Sequence, residues 1–63
     1  MPQEPSSTFT VLVVEDDPTV RFLERYLLED AGYTVVVASD GDQALELAPT
    51  CRPDLVVLDV DDV

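Results

Sequence analysis

Acidic residues directly follow two apolar runs of the sequence. Glu15 and Asp16 come after the run at 11–14, and Asp59 comes after the run at 55–58. Carboxylates that converge within a few ångströms repel one another unless a proton or a cation lies between them. Oxygen ligands without His or Cys favour a hard cation, Mg²⁺ ahead of the transition metals. These residue types therefore predict a magnesium site, provided that the two runs end side by side.

The elements that must position these acids follow from the apolar pattern. Short runs rich in β-branched residues at 9–14, 33–38 and 55–58 predict strands covered on both faces, as in parallel sheets. The segments between them are long enough for helices, so the predicted order is β-α-β-α-β, an α/β fold with right-handed crossovers. Parallel strands share one edge at their C-terminal ends, and the acids would meet there if the first and third strands are neighbours.

Both predicted helices carry local start signals. Asp17 as N-cap and Pro18 at the first helical position begin the first helix, and Gly32 ends it. Asp40 caps the second helix, and Gln43 three residues later completes a capping-box pattern.

Apolar stripes are expected to pack the helices on the sheet. In the first helix the stripe is Val20, Leu23, Leu27 and Ala31, with Phe22 and Tyr26 on an adjacent row. In the second helix it is Ala44, Leu45, Leu47 and Ala48, and Pro49 is expected to break that helix.

Composition limits the class of protein. Fourteen acids against three arginines give a formal net charge of −11, which would repel nucleic acid and anionic membranes and favour cations or a basic protein surface. One cysteine and no histidine exclude an intramolecular disulfide, the common zinc sites and His-activated nucleophiles. Without an 18-residue apolar run or a leader, the chain is expected to be cytoplasmic. Residues 1–8 are predicted to be a flexible tail.

Four segments together resemble the first half of a response-regulator receiver domain. They are VLVVEDDP at 11–18, AGY at 31–33, ASDGDQAL at 38–45 and RPDLVVLDV at 52–60. The resemblance implies a flavodoxin-like, doubly wound parallel sheet of strand order 2-1-3-4-5. Residues 9–63 would form a truncated receiver domain holding the 2-1-3 part of that sheet.

The resemblance also implies a metal-dependent phosphoryl-acceptor site. Asp59 occupies the position of the phosphorylated aspartate, and Glu15 and Asp16 occupy that of the acidic pair that holds Mg²⁺. Asp16 would be a direct ligand, Glu15 would act through water, and Asp61 would offer its backbone carbonyl. The donor would be a sensor histidine kinase or a histidine phosphotransfer protein. The domain would then be a regulatory phosphoprotein of a two-component phosphorelay and no enzyme.

The sequence departs from the family pattern in ways that leave alternatives open. It has no lysine to match the one on the family's fifth strand, and Asp61 and Asp62 stand where receivers commonly have hydrophobic residues. Phosphoryl transfer is therefore expected to be impaired. An alternative is a non-catalytic fragment that binds a kinase, another receiver or a second copy through an exposed apolar third strand. A further alternative is an inert truncation product. The monomer is expected to be marginally stable and to gain order from Mg²⁺ or a partner.

Overall fold

The chain alternates strands and helices, as the apolar pattern predicts. A computed structural model describes residues 9–58. The elements are β1 (Thr10–Val14), α1 (Pro18–Asp30), β2 (Thr34–Ala38), α2 (Gly41–Cys51) and β3 (Leu55–Leu58). The predicted flexible tail at 1–8 and the residues from Asp59 onward lie outside the described residues.

The three strands form a parallel sheet of order β2-β1-β3. Val11 of β1 pairs with Val35 of β2 and with Leu55 of β3, and Val14 pairs with Ala38 and Leu58. β1 is therefore the central strand. β2, which follows α1, lies on one side of it, and β3, which follows α2, lies on the other. This arrangement confirms the α/β prediction and the 2-1-3 order of a flavodoxin-like sheet.

The core is centred on β1, which is the only strand with a neighbour on both sides among residues 9–58. Val11, Leu12 and Val13 are at most 1% exposed. α2 covers one face, where Ala44, Leu47 and Ala48 pack against the cluster of Leu12, Val14 and Ala38. The burial of a continuous apolar run explains why this strand does not alternate apolar and polar residues.

The ends of α1 form as predicted. The Asp17 carboxylate accepts hydrogen bonds from the backbone N–H groups of Thr19 (2.8 Å) and Val20 (3.3 Å), which would otherwise lack partners at the start of the helix. Pro18, without an N–H, occupies the first turn. Gly32 follows the last turn with φ +103°, a conformation that favours glycine, and its N–H donates to the Glu29 carbonyl.

The predicted packing stripe of α1 is wrong in most of its members. Leu23 is 51% exposed and Leu27 is 64% exposed, and Ala31, Phe22 and Tyr26 are also exposed. The half-buried residues are Val20, Arg21, Glu24 and Leu28. The helix carries enough apolar residues for more than one stripe, so the pattern identifies a wide apolar surface without fixing which part meets this sheet.

α2 begins at its predicted cap but extends beyond its predicted end. The Asp40 carboxylate accepts from the Gln43 N–H at 2.8 Å. The Gln43 side chain accepts from the N–H and hydroxyl of Ser39 and so completes a variant of the capping box. Pro49 does not break the helix, which continues to Cys51.

The position of Pro49 explains why the helix tolerates it. Proline has a φ suited to helices, and in the last turn it removes one backbone hydrogen bond while few turns remain to be disrupted. The helix ends after Cys51 instead, and its C-cap residue Arg52 has φ +48° and donates its N–H to the Ala48 carbonyl at 2.8 Å. A left-handed residue is a common helix end, although glycine or asparagine usually occupies it.

β3 is an exposed strand with β1 as its only neighbouring element in the described part of the chain. Leu55, Val56 and Leu58 are 50%, 47% and 65% exposed. Within residues 9–58 no further strand pairs with its outer edge. The exposed apolar third strand expected from the sequence is therefore present.

Candidate metal centre

The described strands end at one edge of the sheet, and Glu15 and Asp16 follow β1 there. Val14 is in register with both Ala38 and Leu58, so all three strands end at the same level. Glu15 follows β1 at this edge. Asp59 follows Leu58 in the sequence, and both Asp59 and Asp61 lie outside the described residues. Their roles remain predictions.

Glu15 is built into the sheet edge. The residue is 5% exposed, and its backbone N–H donates to the Ala38 carbonyl at 3.0 Å, which extends the β1–β2 pairing by one residue. Its carboxylate accepts from the Asp17 N–H at 2.9 Å. One carboxylate oxygen of Glu15 thus holds the loop between β1 and α1, and the water-mediated role expected of Glu15 remains a prediction.

Asp16 has the opposite environment. The residue is exposed, and no hydrogen bond or ion pair within residues 9–58 engages its carboxylate. Asp17, one residue later, uses its carboxylate to cap α1. The three consecutive acids therefore have different environments: Glu15 is buried and binds the loop backbone, Asp16 is exposed, and Asp17 caps α1. Of the three, the accessible Asp16 carboxylate is suited to direct coordination of a metal.

Arg21 makes a contact with the acidic loop that the sequence did not predict. Its Nη1 donates to the Glu15 backbone carbonyl at 2.9 Å in a part-buried position. The sequence signal was the first cation after the three acids, one turn into the predicted helix. Such an arginine can pair with a carboxylate, bind the backbone or stay in solvent, so the pattern alone does not select this contact.

The donor set fits a hard cation. No cluster of three or more acidic, histidine or cysteine residues occurs within 9–58, so Glu15 and Asp16 could supply at most part of a ligand set. Mg²⁺ commonly uses one or two carboxylates and retains several waters, and an oxygen-only pair is compatible with that preference. Glu15 and Asp16 are therefore the described residues that could hold Mg²⁺.

Two open apolar grooves flank β3. The groove on the α1 side has a volume of about 280 Å³, and the one on the α2 side about 440 Å³. The α1-side groove is lined by Val13, Glu24, Leu27, Leu28 and Val57. The α2-side groove is lined by Leu12, Gly41, Asp42, Ala44, Leu45, Ala48, Val56 and Leu58. The exposed strand thus has an apolar surface on both faces.

Neither described helix is long and apolar enough to cross a membrane.

Known proteins share the sequence pattern of this chain. The family described as "Response regulator receiver domain" matches residues 11–61. The "Alkaline phosphatase synthesis transcriptional regulatory protein PhoP" of Bacillus subtilis is 52% identical over 50 residues, which cover 79% of this chain and 21% of that protein. The "Response regulator MprA" of Mycobacterium ulcerans is also 52% identical over 50 residues, covering 79% and 22%.

A more distant relative has the same extent of similarity. The "Probable transcriptional regulator ycf27" of Guillardia theta is 44% identical over 50 residues, covering 79% of this chain and 20% of the relative. The chain thus spans about a fifth of the length of these curated relatives. No solved structure matches it. The family match over most of the sequence, together with the parallel 2-1-3 sheet, shows that the chain belongs to the response-regulator receiver domain family.

Proposed function

We propose that the chain accepts a phosphoryl group on Asp59 in a two-component phosphorelay, with Mg²⁺ at Asp16, Glu15, Asp59 and the Asp61 carbonyl. The supporting observation is the register of β1 and β3. Because Val14 pairs with Leu58, the acids that follow β1 leave the sheet at the level where β3 ends. Asp59 is the next residue in the sequence.

The proposed reaction is the transfer of a phosphoryl group from a phosphohistidine. A carboxylate oxygen of Asp59 forms a bond to phosphorus as the phosphorus–nitrogen bond breaks, and the imidazole keeps the electron pair and takes up a proton. The product is an acyl phosphate. Positioning and charge neutralisation carry most of such a step. A bound Mg²⁺ would supply positive charge that offsets the repulsion between carboxylate and phosphoryl oxygens.

The proposed donor is a sensor histidine kinase or a histidine phosphotransfer protein, and the proposed compartment is the cytoplasm. Membership of the receiver family supports a regulatory acceptor. The net charge of −11 supports a partner with a basic contact surface and opposes nucleic-acid binding by these residues.

Phosphorylation of the isolated chain tests this proposal directly. The protein is incubated with Mg²⁺ and acetyl phosphate, and intact-mass analysis measures the addition of one phosphoryl group that hydroxylamine removes. Asp59→Asn should abolish the product, and Asp16→Asn should reduce it. Asp30→Asn, which removes the same charge at the exposed end of α1, should leave it unchanged. Equal labelling of the Asp59 variant and the wild type would refute the assignment.

A second candidate function is binding through β3, and the exposure of Leu55, Val56 and Leu58 favours it. An apolar edge strand can pair with a strand of another protein, here a kinase, another receiver or a second copy. Sedimentation at several protein concentrations measures self-association. Val56→Lys should abolish it, and Leu23→Lys on α1, at a similar exposure, should not.

The dependence of binding on ionic strength distinguishes the possible binding partners of β3. Two copies of a chain with net charge −11 repel each other, so salt should strengthen self-association. Salt should weaken binding to a basic partner. A chain that neither takes up phosphate nor binds a kinase, a receiver or itself would be inert.

A further inference from the structure

We infer that Arg21 is a positioning residue for the proposed metal centre. Its guanidinium holds the peptide group that joins Glu15 to Asp16 and so fixes the direction in which the Asp16 carboxylate leaves the sheet. The inference rests on the proposed function, because it assigns Asp16 as the direct ligand.

The geometry supports this role through three contacts around Asp16. The Glu15 N–H is fixed by the Ala38 carbonyl at 3.0 Å. The Glu15 carbonyl accepts from Arg21 Nη1 at 2.9 Å, and this carbonyl shares its peptide plane with the Asp16 N–H. The Asp17 N–H donates to the Glu15 carboxylate at 2.9 Å. The backbone on both sides of Asp16 is therefore held while its side chain stays exposed.

The start of α1 places Arg21 where it can make this contact. Its backbone N–H donates to the Asp17 carbonyl at 2.8 Å, so Arg21 lies one turn above the cap. Helical side chains lean toward the N-terminus of their helix. The long side chain of Arg21 consequently points back at the loop, and the helix start and the acidic loop are linked by one charged hydrogen bond.

A positioning role and a purely electrostatic role of Arg21 predict opposite changes in Mg²⁺ affinity when the guanidinium is removed. Loss of a positive charge beside Glu15 and Asp16 would make their surroundings more negative and would tighten Mg²⁺ binding. Loss of the hydrogen bond would release the peptide plane and weaken binding. Arg25 provides the matched control, because it lies one turn further along α1 and pairs with Glu29 at 3.2 Å.

The experiment is a Mg²⁺ titration of four proteins by calorimetry, with backbone amide resonances as a second readout. Relative to Arg25→Gln, Arg21→Gln should bind Mg²⁺ on the order of 10-fold more weakly, the usual effect of losing a residue that orients a metal ligand. Arg21→Lys, which keeps the charge and an N–H donor group but not the planar fork of the guanidinium, should lie between Arg21→Gln and the wild type. Without metal, the amide chemical shifts of Asp16 and Asp17 should differ from those of the wild type in Arg21→Gln and match them in Arg25→Gln.

Two results would overturn the inference, and they differ in what else they affect. If the wild type binds Mg²⁺ and Arg21→Gln binds at least as tightly as Arg25→Gln, Arg21 has no positioning role while the proposed function stands. If the wild type binds no Mg²⁺, both fail. A thermal transition without metal checks that each variant is folded. If Arg21→Gln unfolds, the osmolyte TMAO is added to all four proteins to restore the compact state before titration.

Discussion

Leu12 lies in the middle of the central strand, and its replacement by alanine tests how far stability depends on this small core. The residue is 1% exposed and packs under α2 with Val14 and Ala38. Truncation of a buried leucine to alanine costs about 2 to 5 kcal/mol, from lost burial and from the cavity that remains. The usual per-residue range gives 63 residues a total free energy of unfolding of about 3 to 9 kcal/mol. Leu12→Ala should therefore remove about a fifth of the stability at the least, and all of it at the other end of these ranges.

Leu45→Ala is the matched control. It removes the same atoms from α2, but Leu45 is 75% exposed and loses little burial. Surface substitutions of this kind usually change stability by less than about 0.5 kcal/mol. The comparison separates the effect of burial from the effect of leucine itself.

Urea denaturation followed by circular dichroism measures both variants. A loss of about 3 kcal/mol corresponds to roughly a 150-fold change in the unfolding equilibrium constant. At a slope near 1 kcal/mol per molar urea, typical of the smallest proteins, the midpoint should fall by about 3 M or vanish, leaving the variant unfolded in water. Equal midpoints for Leu12→Ala and Leu45→Ala would refute the claim that β1 carries the core.

Three further substitutions test the local structure by urea midpoint. Asp17→Ala removes the cap of α1 and should cost about 1 kcal/mol, whereas an unchanged midpoint would mean that the Asp17 hydrogen bonds contribute nothing. Arg52→Gly relieves a left-handed residue and should stabilise the chain by up to about 1 kcal/mol; destabilisation would argue against strain there. Pro49→Ala restores a backbone donor in the last turn of α2 and should stabilise it by about 1 to 3 kcal/mol, with increased helical ellipticity; a helix that shortens would contradict this.

The sequence was a good guide wherever structure is decided by near neighbours. Asp17 and Asp40 cap helices because a short side chain meets the N–H two or three residues later, a contact that local geometry dictates. The continuous apolar run of β1 likewise predicts burial on both faces, because no other environment accommodates it. The parallel fold then follows from strand spacing, and the family resemblance supplied the strand order.

Features that depend on packing between residues distant in the sequence were harder to predict. Leu23 and Leu27 are as apolar as Leu28, yet only Leu28 is half-buried, because the orientation of α1 is set by the sheet beneath it. Pro49 gives a stop signal whose strength depends on how many turns follow. In the site, sequence order placed Glu15 and Asp16 at the sheet edge, but the carbonyl contact of Arg21 requires the three-dimensional path of the loop.

The central position of β1 has a consequence for the order in which the chain assembles. Among the described strands β1 precedes the other two in synthesis, yet Val11 finds its second partner, Leu55, only when nearly all of the described chain exists. Such non-local pairing is slow compared with helix formation. We expect β1, α1 and β2 to form a first unit and β3 to dock last. In native-state hydrogen exchange the amides of β3 should exchange earliest among the strands, since fewer contacts protect them.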